Sequence, residues 1–212
     1  MKIFADSTNI DKIQESSFLI DGITTNPNLM KSVTTTKMDF AKKIAAAFPS
    51  LPISIQIHHS SIENMLAEAH EIHKIAQNIV IKVPITQNGL IVTSKLSELN
   101  IKVNMTLCFT LSQAILAAKV GATYVSPFVA RLEDANICSY TLLKNIRNGY
   151  NLHNYSTQIL AASIRNKKHF EMAVSAGADI ATMSPELILS LHENMLTDIG
   201  LKEFNLSHEI EE

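Results

Sequence analysis

Asn78-Ile79-Val80-Ile81-Lys82-Val83-Pro84-Ile85-Thr86 sets a lysine inside a run of β-branched apolar residues and closes the run with a proline turn. Such a run reads as a strand buried on both faces, the habit of a parallel sheet. A helix-like segment, 89–99, follows it, and the same rhythm extends in both directions. Candidate strands fall at 2–6, 22–25, 53–57, 79–83, 101–106, 124–127, 158–162 and 179–182. Helix-like segments lie between them at 10–17, 39–48, 62–76, 89–99, 111–120, 135–148, 168–176 and 186–192. Ile62, Met65, Leu66, Ala69, Ile72, His73 and Ala76 recur at helical spacing and give one of these helices an inward stripe. Val120-Gly121-Ala122 and Ala176-Gly177-Ala178 read as helix stops that lead into the next strand. Eight strand–helix units predict a single α/β domain over 1–212, a (β/α)8 TIM barrel, with an extra C-terminal helix at about 196–205 and a short acidic end at 207–212. An open doubly wound sheet has the same alternation and is the competing architecture.

Composition excludes several classes of function. The 212 residues are 46% hydrophobic and 18% charged, which is a globular balance. Net charge is −2 with no basic stripe, so nucleic acid is not expected as a partner. No apolar stretch approaches the ~18 residues that a membrane helix needs, and no membrane partner is expected. The start, Met1-Lys2-Ile3-Phe4-Ala5-Asp6, has no secretory pattern, and Cys108 and Cys138 are the only cysteines, so a reducing cytoplasmic setting is expected. The chain has six glycines and no phosphate-loop or dinucleotide fingerprint.

A barrel gathers its chemistry at the C-terminal ends of its strands. Those tips deliver Asp6; Thr25 and Asn26; Gln56; Lys82; Asn104 and Thr106; Ser126, with Phe128 and Arg131 beyond it; Ser163 and Arg165; and Thr182 near Ser184. A desolvated lysine loses its proton more easily, and its amine then attacks carbonyls to form a Schiff base. Asp6 is a carboxylate suited to taking and returning a proton. Asn26, Asn104 and Ser126 suit a polyhydroxylated substrate, and Thr106 and Gln56 suit the water exchanged in Schiff-base chemistry. Arg131 and Arg165 suit a phosphate clamp. Together these residues suggest an aldol-type reaction on a sugar phosphate, with no metal and no cofactor. Each has a structural alternative: a snorkelling Lys82, an Asp6 that caps the first helix, surface-paired arginines, or Asn26-Pro27 as a simple turn. His70 and His73 have metal-compatible spacing without an evident third ligand.

Several segments carry a family resemblance: Phe4-Ala5-Asp6-Ser7-Thr8-Asn9-Ile10, Asp21-Gly22-Ile23-Thr24-Thr25-Asn26-Pro27-Asn28-Leu29, Ile81-Lys82-Val83-Pro84-Ile85-Thr86, Asn104-Met105-Thr106-Leu107-Cys108-Phe109, Gly121 to Val129 with Arg131, and Ala161-Ala162-Ser163-Ile164-Arg165-Asn166. In this order they resemble the transaldolase family, in its small-subunit branch alongside fructose-6-phosphate aldolase, from Lys2 to about Phe204. The resemblance implies a (β/α)8 barrel with Lys82 as the Schiff-base nucleophile on strand four. It implies that Asp6 deprotonates the C4 hydroxyl, and that Asn26, Asn104 and Ser126 hold the dihydroxyacetone unit. Arg131, Ser163 and Arg165 are implied as the phosphate site. The implied reaction moves a dihydroxyacetone unit between sugar phosphates in the pentose phosphate pathway without a cofactor. The implied assembly is a homo-oligomer, a ring-based decamer with crossing C-terminal helices, although the tail after Phe204 departs from the usual aromatic ending.

Two positions separate the subfamilies. The resemblance implies that transaldolases usually have glutamate where this chain has Gln56, and that fructose-6-phosphate aldolases share the glutamine. Those aldolases have tyrosine where this chain has Phe128, the transaldolase choice. The expected activity is therefore transaldolase. An aldolase that releases free dihydroxyacetone is the alternative, and a sugar-phosphate-binding barrel without turnover is the non-enzyme alternative.

Overall fold

The computed structural model describes residues 1–208, with side chains through Phe204. Strands β1 (Lys2–Asp6), β2 (Gly22–Thr24), β3 (Ile53–Gln56), β4 (Ile79–Pro84), β5 (Val103–Cys108), β6 (Tyr124–Pro127), β7 (Gln158–Ala161) and β8 (Ile180–Met183) pair in parallel, in chain order. β8 returns to β1 through Lys2↔Ile180 and Phe4↔Thr182, so the sheet closes and the open alternative is excluded. Helices α1 (Ile10–Glu15), α2 (Pro27–Met30), α3 (Lys37–Ala47), α4 (Ile62–His73), α5 (Gln87–Glu98), α6 (Leu111–Lys119), α7 (Val129–Asp134), α8 (Ser139–Leu152) and α9 (Lys167–Ser175) connect the strands, and α10 (Pro185–Ser190) and α11 (Met195–His208) follow β8. Positions 209–212 of the acidic end lie outside the described residues. Among the described residues no helix is long and apolar enough to cross a membrane.

Period-two alternation divides each strand between two surroundings. Ile23, Ile53, Ile55, Ile79, Ile81, Val83, Val103, Met105, Val125 and Ile159 join the large apolar layer under the helices. The alternate residues turn into the barrel. Its lower interior is a small apolar plug of Phe4, Val80, Tyr124, Leu160, Ala162 and Ile180, with Phe4 and Tyr124 edge to face at 6.0 Å. Above the plug the inward residues are polar, and this switch along the barrel axis makes the site. Gly22 leaves room for the Phe4 ring, because a Cβ at Gly22 would lie 2.5 Å from its Cζ. Both groups are buried, so Gly22→Ala forces the plug to repack at a cost of roughly 1–3 kcal/mol. A thermal melt reads this as a fall of several degrees, and an unchanged melting temperature would mean that the plug yields freely.

Gly121 and Gly177 stand just past α6 and α9 with φ of 81° and 84°, as the predicted helix stops require. Two elements differ from expectation. The helix predicted at 135–148 starts later, as α8, and a separate helix α7 that was not predicted precedes it, with Asn136, whose φ is 56°, between the two. The Glu133 carboxylate accepts the backbone N–H of Ser139 at 3.0 Å and its hydroxyl, which caps the new helix start. β5 runs two residues further than predicted, because a bulge between Thr106 and Cys108 lets Cys108 pair with Pro127.

Candidate active site

Lys82 projects from β4 into the polar upper half of the barrel and is 4% exposed. Its Nζ donates to the Thr25 carbonyl at 2.9 Å. An ammonium has three N–H bonds to satisfy, whereas a neutral amine has two and keeps a lone pair. Burial pushes Lys82 below its ordinary value, and the attraction of Asp6 opposes this only in part. Asp6, at the tip of β1, is shifted the other way. Burial raises its carboxyl, against the pull of Lys82 and hydrogen bonds from Thr24 and Asn26. Both groups are thus driven toward their neutral forms.

The neighbours of Asp6 have assigned orientations. Asn26 caps α2, its Oδ1 accepting the N–H groups of Asn28 at 3.0 Å and Leu29 at 3.1 Å. Its Nδ2 is therefore the atom turned to Asp6, 3.5 and 3.4 Å from the two carboxylate oxygens. Thr24 donates to Asp6 Oδ1 at 2.8 Å. Asp6 caps no helix, since Asn9 caps α1.

Across the barrel, Gln56, Lys82 and Asn104 lie at one height on β3, β4 and β5. Ser126 donates to Asn104 Oδ1 at 2.7 Å, and Asn104 Nδ2 donates to Ser54 Oγ at 3.1 Å. This fixes the Asn104 amide while burying it completely. The Thr106 hydroxyl, one step up the same face of β5, is buried and has no partner within the chain. A buried hydroxyl left without a partner is uncommon.

A cavity of about 380 Å³ opens over these groups and is lined by Asp6, Asn26, Gln56, Lys82, Ser126, Phe128, Arg131, Ser163 and Arg165. The Arg131 guanidinium lies 5.0 Å from the Phe128 ring centroid, a cation–π contact that also orients it. Arg165 offers Nη1 to Asp134, with N–O distances of 3.1 and 2.9 Å, in an exposed pair. Two cavity residues have left-handed backbone: Leu107 with φ 62° at the β5 bulge, and Ser163 with φ 59° at the tip of β7. The other non-glycine residues in this region are asparagines, which tolerate it. Strain of this kind gathers at functional sites.

A transaldolase/fructose-6-phosphate aldolase family profile matches residues 3–212. The chain belongs to that family. Proteins called "Probable transaldolase" from Caulobacter vibrioides and Bartonella bacilliformis are 42% and 44% identical to it, each over 96% of this chain and 94% of the relative. Two solved structures share only the fold. "Structure of a cube-shaped, highly porous protein cage designed by fusing symmetric oligomeric domains" aligns with TM-score 0.67 at 11% identity, over 99% of this chain and 77% of that one. "Native KDPGal structure" aligns with TM-score 0.63 at 12% identity, over 87% and 82%.

For this family member, the residues expected at the site separate into two groups. Lys82, Asp6, Gln56, Asn26, Ser126, Phe128, Arg131, Ser163 and Arg165 share the cavity wall. Thr25, Asn104 and Thr106 do not line it. Thr25 turns its hydroxyl to the Ser54 carbonyl at 2.9 Å and meets Lys82 through its backbone alone. Asn104 and Thr106 lie below the cavity surface. Sequence reasoning passed over Thr24, which lines the wall because the alternation from Gly22 turns Thr24 inward and Thr25 outward. It noted Thr182 at a tip but gave it no role. Cys108 is fully buried, and burial pushes its thiol up to about 12. Among the described residues no group of three or more histidine, cysteine or carboxylate side chains converges as metal ligands would.

Proposed function

We propose that the chain is a transaldolase, moving a dihydroxyacetone unit from a ketose phosphate to an aldose phosphate through a Schiff base on Lys82. The observation that carries this reading is a buried amine and a buried carboxylate facing one cavity, each disfavoured in its charged form. The neutral Lys82 amine attacks the C2 carbonyl, and the carbinolamine takes up a proton as water leaves, giving an iminium whose positive charge favours an ionised Asp6. Asp6 takes the C4 hydroxyl proton, and the C3–C4 electrons flow to the iminium as the first aldehyde departs. The resulting enamine attacks the acceptor aldehyde, Asp6 returns its proton to the new alkoxide, and water releases the product. Ser126 and Asn26 on the cavity wall bind the substrate hydroxyls, Asn104 fixes Ser126 from below, the unpartnered Thr106 hydroxyl holds the exchanged water, and Arg131, Ser163 and Arg165 take the phosphate. Borohydride trapping with fructose 6-phosphate, read by mass spectrometry, tests the reading. A reduced adduct on the peptide carrying Lys82 is expected, and none in a stable protein overturns it.

Gln56 stands beside Lys82 in register, where a carboxyl would assist water, and this favours a second reading as a fructose-6-phosphate aldolase. Assays with and without erythrose 4-phosphate separate the two. Release of dihydroxyacetone without acceptor supports the aldolase. An amide cannot trade protons, so Gln56→Glu is expected to raise single-turnover imine formation or hydrolysis by about 10-fold, modest against the ~10²–10⁴ of general acid–base catalysis. An unchanged rate removes that role. We further infer a cytosolic homo-oligomer, a ring-based decamer. The exposed Met195, Leu196, Ile199 and Phe204 of α11 support a subunit contact, and free Cys108 and Cys138 fit a reducing compartment.

A further inference from the structure

The oxygens of Asp6 are unequally held. Thr24 donates to Oδ1 at 2.8 Å, and Oδ2 has only the Asn26 contact at 3.4 Å. Thr24 Oγ1 also lies 2.6 Å from Thr182 Oγ1 on β8, the strand on the other side of β1. A hydroxyl has one proton. With Asp6 ionised, the Thr24 proton is committed to Oδ1, so Thr182 is the donor in the 2.6 Å contact. The opposite assignment would leave Oδ1 with no contact shorter than the 3.5 Å one from Asn26. Thr24 and Thr182 are both buried, and threonine is stiff at χ1 on a strand, so the chain holds one geometry.

We propose that Thr182 is a positioning residue for Asp6: its hydroxyl donates to Thr24, fixes the Thr24 proton on Oδ1, and leaves Oδ2 to exchange the substrate proton. The inference rests on Asp6 being the acid–base group. In the cleavage step the C4 hydroxyl proton moves to Oδ2 while the two threonine protons stay in place, so no proton travels along the chain. Aligned hydroxyl donors polarise one another, which strengthens the bond to the carboxylate. The charged group facing Asp6 from the cavity is Lys82 on β4. Arg131 and Arg165 line the same cavity. Outside β1, on α1 and α10, Lys12 pairs with Glu186 at the surface, and Asp11 and Glu15 are exposed.

Thr182→Val keeps the shape and removes the hydroxyl, and Thr182→Ser keeps the hydroxyl. In Thr182→Val the carboxylate loses support, so the acid limb of kcat/KM moves to higher pH. Near neutrality kcat falls on the order of 3- to 10-fold, the effect of one hydrogen bond. KM changes little, and the Lys82 adduct still forms with borohydride. Thr182→Ser restores the wild-type profile. If Thr182→Val leaves the profile unmoved, or if Thr182→Ser behaves like it, the positioning role is overturned and the side chain serves packing. Loss of the Lys82 adduct in the wild-type protein would instead defeat the Schiff-base reading, so the two failures are distinct. A melting curve for each variant separates a misfolded protein from a shifted profile.

Discussion

Lys82→Met is expected to abolish turnover and borohydride trapping while leaving the protein at least as stable as wild type at neutral pH. The chemical part follows because nothing else in the cavity is an amine. The stability part follows from the sign of the shift. Lys82 sits below the ordinary lysine value of 10.5, with burial outweighing the attraction of Asp6, so the folded state disfavours the charged form. That cost is complete below the folded pKa, fades as pH rises toward 10.5, and is absent above it. Removing the charge therefore helps most at neutral pH. Asp6 loses the attraction of Lys82 and is already raised by burial, so it takes up a proton rather than staying buried as an unpaired charge, and the change as a whole is close to neutral or stabilising. At roughly 2–4 °C per kcal/mol for a chain this long, differential scanning calorimetry resolves the change. Retained activity would sink the mechanism, and a lower melting temperature at neutral pH would mean that the ammonium is held by favourable contacts.

Asp6→Asn is expected to separate the two halves of the reaction. The asparagine carbonyl still accepts from Thr24, so the local geometry survives. The adduct on Lys82 forms, but carbon–carbon cleavage slows by about 10²–10⁴, the range of general acid–base catalysis. Asp6 is also the group that raises Lys82 against burial. Without it the amine becomes neutral at lower pH, so the midpoint of trapping against pH moves down. Rapid-quench cleavage rates and a trapping titration measure both effects. Equal losses in trapping and cleavage would mean that Asp6 serves binding alone.

Lys82 and Asp6 were legible as candidate site residues because each is a charge at or near the tip of a strand-like run. Arg131 and Arg165 were legible because they follow strand tips at short spacing. Thr24 was hidden behind Thr25, since two adjacent threonines look alike until the register of β2 turns one inward. The partnership of Thr24 with Thr182 spans 158 positions and needs β8 to lie beside β1. The strain at Leu107 was also illegible, because nothing in a leucine announces a left-handed bulge; it arises where β5 must slip to keep pairing with β6. The late start of the helix predicted at 135–148 depended on a Glu133 cap six residues before Ser139.

The sequence by itself determined the alternation of strands and helices, the apolar strand bodies with polar tips, and the identity of the amine and the carboxylate. These are local properties: β-branched runs, helical stripes and stop glycines act through a few neighbouring residues. Tertiary structure decided whether the sheet closes, which of two adjacent side chains faces the axis, and how far each charge is removed from water. Closure is a long-range pairing, and the charge state of Lys82 is set by burial inside the closed barrel and by Asp6 brought from β1. A lysine in an apolar run is only a suspicious residue until the barrel closes, because desolvation and the facing carboxylate exist only in three dimensions.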